Sequence, residues 1–295
     1  HTPGKQTDKA QPWGWSADAK RQIAAADVDQ RILPDDETLT QIRSLSHRRT
    51  ASTLLKAMGY EHLAGTEITD PDKALEIEAR RPGHFFKSPW SCSGRGVFNS
   101  RGLTPTVLRE KCAGIIHRQG SIMAEPECDK LAEVGALFFS HGIGGSDSME
   151  WIGLSSFVTE ERGAYTGNIA APQEVIMQTV DSYGLWAETE TAIRRLKSEL
   201  STLIGGHYHG PLGVDMMIYR DKITGKPMLH PCIEVNLRNT MGIVAMHIAE
   251  RLGLTVAHLI SWQRLTDSTP PDGLALLPPR EGFALTLKPT VINKK

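Results

Sequence analysis

The sequence lacks the features that define several common classes of protein. Its four cysteines are far apart and include no CxxC pair, so they provide neither a disulfide framework nor a zinc site. With 33 basic and 34 acidic residues, the charge balance argues against general nucleic-acid binding. There is no apolar run of about eighteen residues and no signal-peptide pattern, so nothing in the sequence points to a membrane or to export. These absences predict a cytoplasmic protein with reduced thiols.

The length of the chain predicts more than one folding unit. A chain of 295 residues can bury substantial cores, and two lobes are expected rather than one. The sequence begins with His1 and Thr2 instead of Met, and its first thirty residues show little periodicity beyond a short helix near residues 17–26. We interpret this stretch, which contains PWGWS at residues 12–16, as the tail of a larger segment.

Two apolar runs around a polar turn are the most informative part of the sequence. GVDMMIY at residues 213–219 and HPCIEVNLRNTM at residues 230–241 are rich in β-branched and apolar residues, and DKITGKP separates them. This pattern predicts a β-hairpin. A turn centred between Thr224 and Gly225 would align residues whose numbers add up to 449.

That register places Asp215 opposite Glu234. Because side chains alternate along a strand, Glu234, Asn236 and Arg238 are predicted to share one face. Facing like charges destabilise a sheet, so a cation is expected between the carboxylates. Two carboxylates and an amide suit Mg²⁺, with Mn²⁺ as the alternative ion, and Arg238 would offer a fork to a phosphate or carboxylate. The competing interpretation, a solvated hairpin face, fits poorly with such apolar strands.

A glycine- and serine-rich loop provides a second candidate site. A short strand at residues 84–87 leads into SCSGRGV at residues 91–97, where small residues would let backbone N–H groups approach a phosphate. Lys87 would add a point charge at the end of the strand. The candidate phosphate contacts in the loop are Ser91, Ser93, Gly94, Arg95 and Gly96. A plain hairpin turn is the alternative.

Further candidates lie outside these two motifs. Arg48 falls near the start of a helix that we expect Ser46 to cap, where a cation is disfavoured unless an anion lies close by. Glu125 and Glu133 flank a hinge-like PECDKLAE, where they could also simply solvate a loop. RGAYTGNIAAP, residues 162–172, is long for a connection and predicts a lid or binding loop.

Periodicity predicts most of the remaining elements. The predicted helices start at Asp36, at Ser46 and at Thr104–Pro105, and further helices cover residues 191–204 and 242–252. The predicted strands cover residues 121–125, 134–140, 149–159 and 283–287.

Taken in order, the motifs resemble the ATP-grasp superfamily over roughly residues 46–252. EVNLR at residues 234–238 is similar to the superfamily's E-x-N-x-R metal and phosphate strand, and Asp215 resembles its first metal carboxylate. Lys87 with the loop after it is similar to the lysine and flexible loop that cover the phosphates. Glu125 and Glu133 match the hinge acid beside the adenine and the later polar residue on the ribose.

The sequence departs from the superfamily pattern at two positions. Arg48 stands where many members have a phosphate-binding lysine, a change that preserves the charge but alters the geometry. Gly213 stands where ligases of the D-alanine–D-alanine type carry an arginine, which argues against that subfamily. The segments around the site look most like a little-characterised bacterial ATP-grasp group with no assigned reaction.

The resemblance implies an α+β ATP-grasp fold, in which two α+β lobes clasp ATP beside the remnant of an N-terminal pre-ATP-grasp domain. The implied divisions are residues 1–45 for the N-terminal tail and linker, residues 46–124 for the small lobe with its glycine-rich loop, and residues 125–295 for the large lobe with the metal site.

The resemblance also implies a ligase that uses ATP and Mg²⁺ to join a carboxylate to an amine through an acyl phosphate. Arg238 and Lys87 would be its catalytic residues. The expected partners are a small carboxylic acid and an amine, amino-acid-like or peptide-like, without nucleic acid or membrane, and a homo-oligomer is left open. A non-catalytic ATP sensor or partner-docking module and an ATP-dependent phosphotransferase are the alternatives.

Overall fold

Two antiparallel sheets and the helices packed on them form the protein, which is therefore α+β. The computed structural model describes residues 10–26, 28–90, 96–160, 165–266 and 271–292. The helices are α1 (Ala17–Ala24), α2 (Asp36–Leu45), α3 (Arg49–Ala57), α4 (Pro71–Arg80), α5 (Pro105–Gln119), α6 (Gln173–Asp181), α7 (Trp186–Leu203) and α8 (Met241–Leu252). The strands are β1 (Thr66–Ile68), β2 (His84–Lys87), β3 (Val97–Asn99), β4 (Ile122–Pro126), β5 (Asp129–His141), β6 (Met149–Thr159), β7 (Tyr165–Ala170), β8 (His209–Arg220), β9 (Pro227–Asn236), β10 (His258–Arg264), β11 (Leu274–Ala275) and β12 (Phe283–Pro289).

The smaller sheet has the strand order β1-β4-β2-β3. Helices α4 and α5 cover it, and Ala74 and Leu108 from these helices share a buried core with Phe86 and Ile122 from the strands. As predicted, Thr104 caps the start of α5, where its hydroxyl accepts a hydrogen bond from the Val107 amide at 3.4 Å. This sheet carries Lys87 and Glu125.

The larger sheet has the strand order β11-β12-β10-β7-β6-β5-β8-β9. Successive side chains on a strand point to opposite faces, and the strand β5 shows what covers each face. Ala136 belongs to the main core with residues of α3, α6 and α7, whereas Leu137 packs against Ile243 and Met246 of α8. Helices therefore cover both faces, and β8 and β9 form one edge of the sheet beside α3.

The predicted lid loop at residues 162–172 is wrong where the structure describes it. Residues 165–170 form the strand β7, which pairs with β6 on one side and with β10 on the other. Gly167 was interpreted as a loop residue, but a Cβ at this position would overlap the backbone oxygen of Ile260, so the glycine serves close packing between strands. Residues 162–164 lie outside the described ranges.

The start of α3 also differs from the prediction. The helix begins at Arg49, with Arg48 at its N-cap position and no side-chain cap. Ser46 instead ends α2, where its hydroxyl donates to the Ile42 carbonyl at 2.7 Å. A serine between two helices can bond to either one, and here the unpaired carbonyls of the preceding helix receive its hydroxyl.

The thiols and the helix lengths of the described residues bear on disulfides and on membrane spans. Within them, Cys112, Cys128 and Cys232 are free thiols. Among the helices in those ranges, none is both long enough and apolar enough to cross a membrane.

Candidate active site

The strands β8 and β9 bring the two predicted metal carboxylates together. Asp215 pairs with Glu234 and Gly213 pairs with Asn236, which is the register expected from the sequence. The turn itself is different, because Arg220 pairs with Pro227 and the hairpin is centred one residue earlier than predicted. An irregularity in the pairing after Asp215 restores the predicted register at the site.

Side-chain hydrogen bonds link Asp215, through Asn236, to the predicted catalytic arginine. The Asn236 amide donates to Asp215 Oδ2 at 3.1 Å, and its Oδ1 accepts from the Arg238 guanidinium at 2.8 Å. Arg238 also donates to the Asn239 carbonyl at 3.2 Å. The strand β9 ends at Asn236, so the prediction that Arg238 extends the strand face is wrong. Its side chain nevertheless returns to the metal-ligand candidates from the loop before α8.

Asp215 lies in an environment that opposes its negative charge. The side chain is partly buried, and burial raises its pKa to about 7, with the facing charge of Glu234 acting in the same direction. The positive charge of Arg238, the hydrogen bond from Asn236 and the positive charge of Arg48 each lower the pKa. Together they offset only part of the rise. A cation at this position would take over the stabilising role of the proton.

The residues fit a magnesium ion that shares its shell with phosphate and water. Asp215, Glu234 and Asn236 offer hard oxygen ligands, and Mg²⁺ commonly binds one or two carboxylates together with substrate phosphates. Within the described ranges, no group of three or more His, Cys, Asp and Glu residues has the arrangement of a metal site. A cation between Asp215 and Glu234 would therefore depend on oxygens from outside the protein to complete its shell.

Arg48 joins the strand β9 to the segment that follows β2. Its guanidinium lies 3.0 Å from Glu234 Oε2 and donates to the Ser88 carbonyl at 3.1 Å, while its backbone N–H donates to the Pro89 carbonyl at 3.2 Å. The Arg48 side chain is only 6% exposed. The anion that the sequence required next to this arginine is thus supplied by Glu234.

Lys87 and Glu125 form an ion pair between neighbouring strands of the small sheet. Each side chain is 13% exposed, so the two charges neutralise one another with little help from solvent. Glu133 lies beyond the short turn between β4 and β5, where it accepts from the Thr159 hydroxyl at 2.6 Å and pairs with Lys130 at 3.2 Å. The hinge predicted over PECDKLAE is longer than the observed turn, because β5 already begins at Asp129.

The glycine-rich loop is described only at its base. Ser91, Ser93, Gly94 and Arg95 lie outside the described residues. The Ser88 amide donates to the Gly96 carbonyl at 2.8 Å and closes the base of the loop. Gly96 has φ +73°, and a Cβ there would overlap the Ser88 side chain, so this position requires glycine on two grounds.

Two features next to the site were missed in the sequence. His230, on β9, is buried with its pKa lowered to about 3 by that burial, and its Nδ1 has no hydrogen-bond partner among the described residues.

The second feature is the N-terminal segment, which lies against the site. The backbone N–H of Asn239 donates to the Trp13 carbonyl at 2.7 Å, and a Cβ on Gly14 would lie 2.8 Å from Arg238 Cβ. The unusual PWGWS run was the available signal, but its partner could not be identified from sequence.

The N-terminal segment encloses a groove together with α2, Trp90 and the end of β9. The groove has a volume of about 750 Å³, and its lining includes Glu234, Asn236 and Arg238. The candidate metal and arginine residues therefore open onto a space that could hold a small molecule.

Comparison with known proteins identifies the fold. No family model matches the sequence, and no curated protein matches it. Solved structures do match: a biotin carboxylase–beta-gamma-ATP complex from Campylobacter jejuni aligns with a TM-score of 0.54 and 14% identity over 85% of this chain and 57% of that one. Carboxyaminoimidazole ribonucleotide synthase from Aspergillus clavatus, complexed with ATP, gives a TM-score of 0.51 and 14% identity over 92% and 74% of the two chains.

Phosphoribosylamine–glycine ligase from Thermotoga maritima is a third match, with a TM-score of 0.52 and 13% identity over 85% of this chain and 71% of that one. The present chain covers 63% of the N5-carboxyaminoimidazole synthetase of Staphylococcus aureus, and so spans under two thirds of that protein as well as of the Campylobacter protein. At these identities the likeness concerns the fold. This chain has the fold of the ATP-grasp superfamily.

Proposed function

We propose that the protein is an ATP- and magnesium-dependent ligase that joins a small carboxylic acid to an amine. The observation that carries this proposal is the register of β8 and β9, which sets Asp215 against Glu234 beside Asn236 and Arg238. Several structures that share the fold were solved with ATP or ADP, which supports a nucleotide as the co-substrate.

Asp215, Glu234 and Asn236 would hold the magnesium ion. When bound, the ion would supply positive charge that neutralises phosphate oxygens of the nucleotide. Glu234 would exchange its contact with Arg48 for the ion, which would leave the Arg48 guanidinium beside the phosphates. The Glu234 carboxylate would keep a cationic partner in this exchange, and the nucleotide phosphates would supply the negative charge that balances the added ion.

Lys87 and Glu125 would hold the remainder of the nucleotide. A buried ion pair opens readily only for a ligand that supplies both an acceptor for the cation and a donor for the carboxylate. A nucleotide offers phosphate oxygens to Lys87 and, through the adenine amino group, a donor to Glu125. Glu133 would accept from the ribose hydroxyls, and the backbone of the glycine-rich loop would contact the phosphates.

Arg238 would act on the reacting atoms. In the first step a carboxylate oxygen attacks the γ-phosphorus, the bond from that phosphorus to the bridging oxygen breaks, and ADP leaves with the electron pair. The amine then attacks the acyl carbon of the resulting acyl phosphate, inorganic phosphate leaves, and the nitrogen loses a proton to solvent. Arg238 would stabilise the negative charge on the oxygens of the transferred group.

The test is ADP release in the presence of ATP, Mg²⁺ and pooled carboxylic acids and amines. Release that requires both pools, and that is lost in Glu234→Gln, supports the ligase. Release with acids alone, without consumption of an amine, would indicate a phosphotransferase. Tight ATP binding with no ADP release from any pool would reject the proposed ligase in favour of the sensor.

A further inference from the structure

The groove next to Arg238 has an uneven chemistry that indicates its ligand. Glu234, Asn236 and Arg238 provide polar groups on one part of its lining, beside Val235 and Leu237, and the rest of the lining comes from the N-terminal segment, α2 and Trp90. The volume of about 750 Å³ lies within the range of roughly 300–1,000 Å³ that is typical of small-molecule sites.

Large apolar side chains form much of the wall. Trp13, Trp15, Leu39 and Trp90 all line the groove, and Trp13 is 48% exposed although it is one of the largest apolar side chains in the protein. Tryptophan buries a large area on binding and forms favourable contacts with flat rings, so an accessible Trp13 in the same groove as Arg238 favours a ligand with an apolar, planar body.

The charged residues of the groove favour an anionic group on the ligand. Arg238 lines the groove, and the Arg43 guanidinium is stacked 4.2 Å from the centre of the Trp90 ring. The exposed acids Asp18 and Asp36 are paired with Arg21 and Lys20, and Glu234 is paired with Arg48. The acids of the lining are therefore neutralised, and Arg238 offers a guanidinium to a carboxylate.

The wall that carries Trp13 is fixed to the site and is not a loose tail. Asn239 donates to the Trp13 carbonyl at 2.7 Å and to the Pro12 carbonyl at 3.4 Å, and Gly14 allows the backbone to pass closely over Arg238. Lys20 also ties α1 to α2 through its 2.7 Å contact with Asp36. The backbone of Trp13 is thus held close to Arg238.

We propose that this groove selects the acid substrate, and that the substrate class is a carboxylate attached to an aromatic or similarly flat apolar body. The carboxylate lies at Arg238 and the body lies against Trp13. This inference rests on the proposed ligase function, because it assigns the acid of that reaction.

Binding of two matched acids tests this specificity. Calorimetry with the wild-type protein compares 3-phenylpropionate with propionate, which differ only by the phenyl ring, and with 3-phenyl-1-propanol, which lacks the carboxylate. We expect 3-phenylpropionate to bind at least tenfold more tightly than either of the other two, since the ring buries apolar area and the carboxylate contacts Arg238. Equal affinity for the two acids would overturn the proposal.

Two tryptophan variants locate the effect. Trp13→Ala should reduce the preference for 3-phenylpropionate over propionate to about threefold or less. Trp262→Ala is the matched control, because Trp262 is 57% exposed on β10 and is not part of the groove, and it should retain the wild-type preference. Thermal unfolding of both variants checks that they fold. A folded Trp13→Ala protein with an unchanged preference would contradict the assignment.

The same samples separate this inference from the ligase proposal. A wild-type preference for 3-phenylpropionate that depends on Trp13, without ADP release from any acid and amine, would leave the groove's specificity standing and reject the ligase. ADP release that shows no preference for aromatic acids would support the ligase and reject the aromatic-acid site.

Discussion

Two charged pairs on neighbouring strands are balanced in opposite ways. In the large sheet, Asp215 faces Glu234, so two like charges meet where burial raises the pKa of Asp215 to about 7. In the small sheet, Lys87 meets Glu125 and the two charges cancel. The first pair is stabilised by adding a cation, whereas the second must exchange its partners to bind anything. The pair in the large sheet therefore fits the proposed metal site, and the pair in the small sheet fits a ligand with both donors and acceptors.

Glu234→Gln should have the largest effect in this series, on the rate of ADP release. The variant lacks one of the two facing carboxylates and should therefore bind magnesium more weakly. We expect ADP release to fall by about 10³-fold, which corresponds to a loss of roughly 4 kcal/mol of transition-state stabilisation. The measurement is steady-state ADP release with saturating Mg²⁺. Glu150→Gln, on the partly exposed strand β6, is the control and should retain activity. Wild-type rates in Glu234→Gln would reject the metal assignment.

Asp215→Asn should change how the free energy of unfolding depends on pH. The pKa of Asp215 in the folded state is raised above its unfolded value of about 3.9, so the folded protein binds more protons between pH 4 and pH 7. Its contribution to stability therefore falls as the pH rises through that window. Asp215→Asn should lose this fall and be more stable than the wild type at pH 8, by an amount on the order of 4 kcal/mol.

Urea unfolding of both proteins at pH 5 and pH 8, in EDTA, measures the effect. The difference between the two proteins cancels the opposite contribution of His230, whose lowered pKa makes the folded state bind fewer protons. A stability difference that does not change with pH would show that Asp215 titrates normally.

Arg238→Lys should lower the rate while sparing the nucleotide. Lysine keeps the charge but loses the fork that donates to Asn236 and, in the proposed reaction, to the transferred group, so we expect turnover to fall about 10²-fold. ATP affinity should change by less than about threefold, because the role proposed for Arg238 is in the transition state. Calorimetry and ADP release are measured side by side. An equal loss in affinity and in rate would place Arg238 in ground-state binding instead.

Lys87→Met should have the smallest effect of this series. The variant loses a charge-assisted contact to phosphate, which is worth roughly 1.5–3 kcal/mol, so ATP should bind about ten- to a hundredfold more weakly. Lys222→Met is the control: Lys222 also pairs with a glutamate, Glu127, but at an exposed position, and its loss should change ATP affinity by less than about twofold. Equal effects in the two variants would contradict a nucleotide role for Lys87.

The sequence could predict how β8 and β9 pair at the candidate site because their pattern is local. Alternating apolar residues on either side of a short turn fix which carboxylates face one another, even though the predicted turn was displaced by one residue. Asp215 still faces Glu234 because the pairing of β8 and β9 is irregular between Asp215 and Met217, and this irregularity offsets the displaced turn. No local pattern in the sequence indicated the irregularity.

Other parts of the site could not be predicted because they depend on distant contacts. The strand β7 contains glycine and small residues that look like a loop until β10, nearly a hundred residues later, packs against Gly167. The contact from Arg48 to Glu234 spans most of the chain, and so does the contact from Trp13 to Asn239. Local propensities carry no information about such pairs.

The most direct test of the metal site is a calorimetric titration of ATP into the wild-type protein at pH 8, once with Mg²⁺ and once with EDTA. The facing carboxylates should repel the phosphates without the ion, so ATP should bind at least about tenfold more tightly with Mg²⁺. The same gain should be lost in Glu234→Gln. Equal ATP affinity with and without Mg²⁺ in the wild-type protein would contradict a magnesium site at Asp215 and Glu234.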